Sequence, residues 1–342
     1  NVRKDNTMNE LRIGKIDSAV LDRLISNYTH PHPRIVLGPG IGEDAAVIDM
    51  GDSYLIAKTD PITHVTGEIG YYAVHINAND IAATGGTPVW FLATILMHEH
   101  TRSDTLEQVF AQISTSCKNL GITFCGGHTE VTTGVNNPIV VGQMLGEVDK
   151  SRLKPTSGAK PDDDLIMTKW AAIEATSIMA IDCGENLEHH FSKDLISKAR
   201  RYLYDPGISV IADSRIVAGY PQVHALHDPT EGGIATGIHE MAYASKLGVE
   251  VWYDQIPISE ETAALCGFYA IDPLGTFASG ALLIASDPSV SSEIIDQLRA
   301  GGINAARIGR FTNRDAGIYM IKNVSRVTLP HYNQDEICKI FV

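Results

Sequence analysis

Several features that would each point to a function class are absent from this sequence. No apolar run approaches the ~20 residues that a membrane-spanning helix needs. Residues 1–10 lack the apolar centre of a secretory leader, so a cytoplasmic protein is expected. Basic residues are the minority, 27 Lys and Arg against 41 Asp and Glu, giving a formal charge of −14. That balance speaks against a general nucleic-acid surface or an anionic membrane as partner. The cysteines Cys117, Cys125, Cys183, Cys266 and Cys338 form no C-x-x-C pair and read as buried free thiols. The G-x-x-x-x-G-K-[ST] loop and the G-x-G-x-x-G fingerprint are both missing, which excludes the usual P-loop and Rossmann readings.

What remains is enough for a sizeable core. The chain has 342 residues, 44% of them hydrophobic and 20% charged, sufficient for two domains sharing a cleft. Periodicity predicts a helix over 11–28 capped by Asp17 or Ser18, strands over 45–48 and 54–58 joined at Gly51-Asp52, and a helix over 67–84 closed by Gly85-Gly86. A strand over 89–97, a helix over 101–120, a short strand over 122–125 and a long one over 138–148 follow. The stretch 149–164, rich in Lys, Pro, Ser, Gly and Asp, reads as a surface connection. Beyond it the pattern predicts strands over 165–170, 280–285, 305–308 and 318–321, and helices over 171–181, 192–202, 209–219 and 231–244. The fold class is therefore α/β (α+β): a helical extension over 1–33 and layered domains over 34–150 and 151–342.

Four acidic or glycine-rich motifs sit where turns meet regular elements, and a fifth opens a helix in the second half. Gly40-Ile41-Gly42-Glu43-Asp44 allows close backbone approach and places Asp44 at the mouth of a strand. Glycine amides there can face a phosphate while Asp44 holds Mg²⁺, or the stretch is simply a strand connection with a solvated acid. Lys58-Thr59-Asp60-Pro61 ends a strand in an acid. Asn77 and Asp80, three apart, share one face of a helix that is otherwise apolar there, so they meet partners, a metal or solvent. Gly126-Gly127-His128-Thr129-Glu130 reads as a turn whose amides and Thr129 hydroxyl can contact phosphate, with His128 either structural or catalytic. Asp228-Pro229-Thr230-Glu231-Gly232-Gly233 precedes a helix, where Asp228 and Thr230 either cap it or leave its amides free for an anion. Together Asp44, Asp60, Asp80 and Asp228 suit two or three Mg²⁺ ions, and hard cations let an acidic protein bind a triphosphate: Mg-ATP is the physical hypothesis.

The order and wording of these motifs resemble the aminoimidazole-ribonucleotide synthetase-like (PurM-like) superfamily. Its members include HypE-type hydrogenase-maturation proteins, thiamine-monophosphate kinase and selenophosphate synthetase. Gly14-Lys15-Ile16, the run Ala73 to Asp80, Ile173-Glu174-Ala175-Thr176 and the Asp-Pro-Thr-x-Gly-Gly form look most like HypE-type proteins. The resemblance implies a PurM-like two-domain architecture in which the N-terminal sheet pairs with its copy in a homodimeric barrel, beside a C-terminal α/β layer. It implies ATP and Mg²⁺ as cofactors, with Asp44, Asp60, Asp80 and Asp228 as metal ligands. Asp80, His128 and Asp228 would stand at the reacting phosphate. Gly40, Gly42, Thr59, Asn77, Asn79, Gly126, Gly127, Thr129, Thr230 and Gly232 would contact the nucleotide.

The implied activity is ATP-dependent phosphorylation or activation of a small acceptor. The alternatives are a kinase resembling thiamine-monophosphate kinase, or an ATP-binding maturation subunit acting through a protein partner. His128 stands where thiamine-monophosphate kinases have an aspartate. HypE-type proteins carry a Pro-Arg-x-Cys ending, whereas this sequence closes Ile337-Cys338-Lys339-Ile340-Phe341-Val342, so Cys338 is expected to be dispensable for any ATP-dependent activity.

Overall fold

The computed structural model describes residues 14–63, 67–332 and 334–341, and the expectations for residues 1–13 lie outside them. Asp17 accepts from the amides of Ala19 and Val20 and so caps α1 (Ser18–Tyr28). A short strand β1 (Ile35–Leu37) then pairs antiparallel with β2 (Ala46–Asp49), which turns at Gly51-Asp52 into β3 (Tyr54–Ile62). Helix α2 (Ile69–Ala83), strand β4 (Thr87–His98), helix α3 (Ser103–Leu120) and strands β5 (Thr123–Thr132) and β6 (Ile139–Val148) complete the first half. Its six strands form one sheet in the order β1-β2-β3-β6-β4-β5, antiparallel except for β4 with β5.

Helix α2 decides how the halves meet. Every residue of it but Tyr71 is buried, and a helix that is apolar nearly all round must be covered on every side. One side packs on β3, β4 and β6, and another meets elements of the second half. A single apolar cluster therefore runs from Ile56, Phe91 and Met144 through Ile81 to Ile166, Leu226 and Ile284.

The second half opens with β7 (Asp164–Thr168), followed by α4 (Ile173–Asp182), α5 (Gly184–Leu187), α6 (Lys193–Arg201) and α7 (Ile211–Val217). Strand β8 (Val223–His227), helix α8 (Gly233–Ser245), strand β9 (Gly248–Trp252) and helix α9 (Glu260–Tyr269) come next. The chain continues through β10 (Leu283–Ser286), α10 (Pro288–Ala300), β11 (Ala305–Thr312), β12 (Ile318–Lys322), β13 (Ser325–Thr328) and α11 (Cys338–Phe341). The seven strands lie in the order β13-β12-β9-β11-β7-β10-β8, and β7, wholly buried, stands inside the sheet.

Two expectations are corrected. The stretch 149–164 is a surface connection only in part: residues 149–152 and 160–162 are exposed, whereas Lys154, Thr156, Asp163 and Asp164 are buried, and Lys154 bonds Thr84 and Tyr220 across the halves. Residues Gly126 to Glu130 are no turn: they continue β5 as the outer strand of its sheet, after a bulge in the pairing beside Phe91 and Leu92. Parallel pairing with β4 carries the strand straight through both glycines, and a Cβ on Gly127 would lie 1.9 Å from the Ala93 carbonyl oxygen.

Candidate metal and nucleotide site

Three carboxylates meet at the junction of the halves. Asp44 comes from the turn before β2, Asp80 from the last turn of α2 and Asp228 from the residue after β8. One oxygen from each lies within 4.8 Å of the others, and exposure is at most 9% for any of the three. Both oxygens of Asp228 and Oδ2 of Asp80 have no hydrogen-bond partner among the described residues. Buried, unpaired carboxylate oxygens are expensive without a cation. Burial, followed by the neighbouring carboxylates Asp80 and Asp44, lifts the Asp228 carboxyl well above the ordinary carboxylate range. Burial also raises Asp80, to about 7, against the opposing pull of Lys58.

The surroundings hold these groups in place. Lys58 Nζ lies 2.8 Å from Asp80 Oδ1 and 3.5 Å from Asp60 Oδ2. His227 Nδ1 stands 2.8 Å from Asp44 Oδ1, a charge contact without hydrogen-bond alignment. Its Nε2 bonds Glu240 Oε2 at 3.1 Å, and Glu240 Oε1 meets Lys15 at 3.1 Å. Burial alone would lower the His227 pKa, but Asp44 and Glu240 outweigh it and raise it well above 6.5. Glu240 moves the other way: burial would raise it, and Lys15 with His227 brings it down to about 2. Thr156 donates to Asp44 Oδ2 at 3.2 Å, and Glu43 accepts from the amides of Thr156 and Ser157.

Gly42 lies at φ +83°, and a Cβ there would come within 2.8 Å of the Glu240 carbonyl oxygen. The glycine turn thus fits against α8 and delivers Asp44, while Gly40 stays exposed beside it. No helix cap claims Asp228, because α8 begins at Gly233 with Gly232 as its N-cap.

Of the four expected metal ligands, Asp44, Asp80 and Asp228 converge, whereas Asp60 faces Lys58 outside the three-carboxylate cluster. Asn77 is near, buried, with Nδ2 donating to the carbonyls of Ala73 and Asp60 and Oδ1 free. Asn79 is a correction. Its fully buried amide donates to the Ile208 carbonyl and accepts from the Val210 N–H, and so clasps the halves together. Asn79→Ala is expected to lower stability by about 2–4 kcal/mol, since two buried backbone groups lose partners, yet leave nucleotide affinity unchanged; urea denaturation and calorimetry check both.

Thr59 points to the opposite sheet face from Lys58 and Asp60 and bonds the Gly142 carbonyl. The Gly232 N–H already has an anion, the carboxylate of Asp335 at 2.8 Å, which corrects the expectation of free amides at α8. Thr230 gives its carbonyl to Gly233 and Ala278.

Gly126, Gly127, His128 and Thr129 are not brought to the cluster within one chain. Gly127 shares a register row with Ala93, Gly142 and Asp60, three strands away, or about 14 Å at the usual strand spacing. His128 is exposed and contacts Glu130 at 3.2 Å. Cys338 is half-buried in α11, and burial, with Asp335 nearby, pushes its thiol up and away from reactivity.

Sequence reasoning overlooked Lys58, His227, Glu240, Lys15 and Thr156. Lys58 and Asp60 alternate onto one strand face, and His227 directly precedes Asp228, so both carried a local signal. Lys15 stood in the Gly14-Lys15-Ile16 motif without a role, and Thr156 and Glu240 carried no signal, since only the packing of distant elements brings them in.

Residues 42–148 match the AIR synthase related protein N-terminal domain, and residues 160–322 match the C-terminal domain of the same proteins. The chain belongs to the AIR synthase related family. A Methanocaldococcus jannaschii protein named provisionally for hydrogenase expression/formation is 27% identical over 300 residues, covering 84% of this chain and 86% of that one. The carbamoyl dehydratase HypE of Escherichia coli is 26% identical over 312 residues, covering 87% and 86%. Among solved structures, a HypE–HypF complex aligns with TM-score 0.73 at 17% identity, covering 92% of this chain and 100% of that one. A hydrogenase maturation protein HypE in complex with ATP aligns with TM-score 0.72 at 23% identity, covering 92% and 96%. AaThiL complexed with AMPPCP and TMP aligns with TM-score 0.71 at 17% identity, covering 92% and 95%. These likenesses establish the two-domain PurM-like fold. Among the described residues, no helix is long and apolar enough to cross a membrane.

Proposed function

We propose that this AIR synthase related, HypE-like protein is a Mg-ATP-dependent enzyme that phosphorylates or activates a small acceptor. The observation that carries the reading is the set of three buried carboxylates within 4.8 Å, three of whose oxygens lack a hydrogen-bond partner among the described residues. An all-oxygen, acidic donor set of this kind fits Mg²⁺. Asp44, Asp80 and Asp228 would hold the ion, which when bound supplies the positive charge that a transferring phosphoryl group needs. His227 orients Asp44, Thr156 fixes its second oxygen, and burial of all three acids excludes water from the charges. ATP and AMPPCP in two of the solved structures support the nucleotide, and the HypE–HypF complex supports a protein partner.

A homodimer belongs to the same proposal. The first sheet is covered by helices on one face only, and its other face shows Trp90, Leu92, Leu96, Val141 and Leu145 partly exposed. Pairing this face with a second copy would bury it, and offers β5, with Gly126, Gly127, His128 and Thr129, a way to the acidic cluster of another chain. Leu92→Asp should convert a dimer to a monomer in analytical ultracentrifugation and weaken nucleotide binding with it; an unchanged sedimentation coefficient would reject the face.

The decisive experiment is calorimetric titration with ATP, with and without Mg²⁺, followed by assay for ADP and phosphate. Metal-dependent binding with ADP release on adding acceptor supports an enzyme. Binding without turnover in any mixture points to the partner-dependent subunit, and no binding refutes both.

A further inference from the structure

Lys58 occupies a place in the acidic pocket where a cation would otherwise be needed. Among the described residues it is the one basic side chain within salt-bridge distance of Asp80, and it reaches Asp60 as well. The Asp80 carboxylate is thereby divided: Oδ1 takes the Lys58 ammonium at 2.8 Å, while Oδ2 stays bare. Asp60, on the far side of the ammonium, is absent from the three-carboxylate cluster. The Lys58 side chain is 21% exposed.

We infer that Lys58 is a built-in cation that fills the position between Asp60 and Asp80, so that the nucleotide-free pocket takes one divalent ion, at Asp44, Asp80 and Asp228, and Asp60 is no metal ligand. The inference rests on the metal reading proposed above. Charge balance favours it. With metal bound the four carboxylates carry four negative charges, against which one ammonium and one divalent ion supply three positive ones, and the His227 imidazole, shared between Asp44 and Glu240, stands beside them. A second divalent ion beside Lys58 would leave the nucleotide-free pocket with more positive than negative charge, an excess that only the incoming nucleotide polyanion could balance. Without the lysine, two divalent ions balance the four acids, and Asp60 becomes free to bind one of them. The lysine thus replaces the two or three ions suggested by a count of acids with a single ion before nucleotide arrives. It also gives Asp80 and Asp60 a cation in the metal-free pocket, as His227 does for Asp44.

Mn²⁺ titration of the nucleotide-free protein, followed by the paramagnetic resonance of free Mn²⁺, tests this. Wild type should bind one ion. Lys58→Ser, which removes the charge and leaves space, should bind two, and its melting temperature should fall in EDTA and recover with Mn²⁺. Asp60→Asn should keep one site with affinity within about twofold, because Asp60 serves Lys58 and not the ion; this variant retains the lysine and tests the idea even if Lys58→Ser folds poorly. Two ions in the wild type, one ion in Lys58→Ser, or a tenfold loss in Asp60→Asn overturns the role of Lys58 alone. No ion in wild type overturns the metal reading beneath it as well.

Discussion

Asp228→Asn is expected to abolish the response to Mg²⁺ while making the metal-free protein more stable. Asp228 is 3% exposed, and neither carboxylate oxygen has a hydrogen-bond partner among the described residues. Its raised pKa means that the folded state binds a proton more tightly than the unfolded one. Folding is therefore penalised above the unfolded value of 3.8, and the penalty grows until pH passes the raised folded value. Asparagine removes the ionisable group and the repulsion from Asp80 and Asp44. The same change deletes a ligand oxygen and a negative charge from the metal position. Affinity for Mg-ATP should fall on the order of 100-fold, equivalent to about 2.7 kcal/mol. Thermal denaturation in EDTA and in excess Mg²⁺ separates the two effects. Wild type should gain melting temperature with Mg²⁺, and the variant should start higher and gain nothing. A variant that is less stable in EDTA yet still stabilised by Mg²⁺ would show that Asp228 is a structural acid.

His227→Ala is expected to be the most destabilising single change in the site. His227 lies between Asp44 and Glu240, and all three side chains are at most 19% exposed. Removing the imidazole leaves Asp44 with Thr156 alone and Glu240 with Lys15 alone, a loss of about 3–5 kcal/mol for a broken buried pair. The sign with pH follows from the directions of the shifts. The contribution of His227, whose pKa is raised in the folded state, is fully present below about pH 6.5 and is lost as pH rises through the folded value. The contribution of Glu240, lowered to about 2, is present above its ordinary 4.5 and is lost as pH falls through about 2. Urea denaturation from pH 4.5 to pH 9 should show wild-type stability declining on the alkaline side, with His227→Ala both lower and flatter there. Parallel curves for the two proteins would mean that His227 is neutral and packs without charge.

Much of this architecture was legible from local pattern. The helix over 67–84 was clear because apolar spacing and Gly85-Gly86 mark it on both sides, and α2 occupies 69–83. The Asp17 cap and the hairpin at Gly51-Asp52 were legible for the same reason, since cap and turn chemistry acts over a few residues. Strand β5 was cut short because paired glycines read as a turn, and only its neighbour β4 keeps the chain extended through them. The stretch 149–164 looked exposed by composition, yet Thr156 is buried against Asp44.

For the site, the sequence by itself determined the inventory: which acids were available, their placement at element ends, and a motif order that resembles one superfamily. Tertiary structure alone decided which of those acids share a pocket. Asp44, Asp80 and Asp228 come from a turn, a helix and a strand end far apart in the chain, and they meet because a helix buried on all sides draws both sheets around it. Packing likewise assigned Asp60 to Lys58, Asn79 to the backbone of the second half, and the amide at the start of α8 to Asp335. Residue type and spacing fix what a side chain can do, but competing partners settle what it does, and those partners are set by long-range packing of the core.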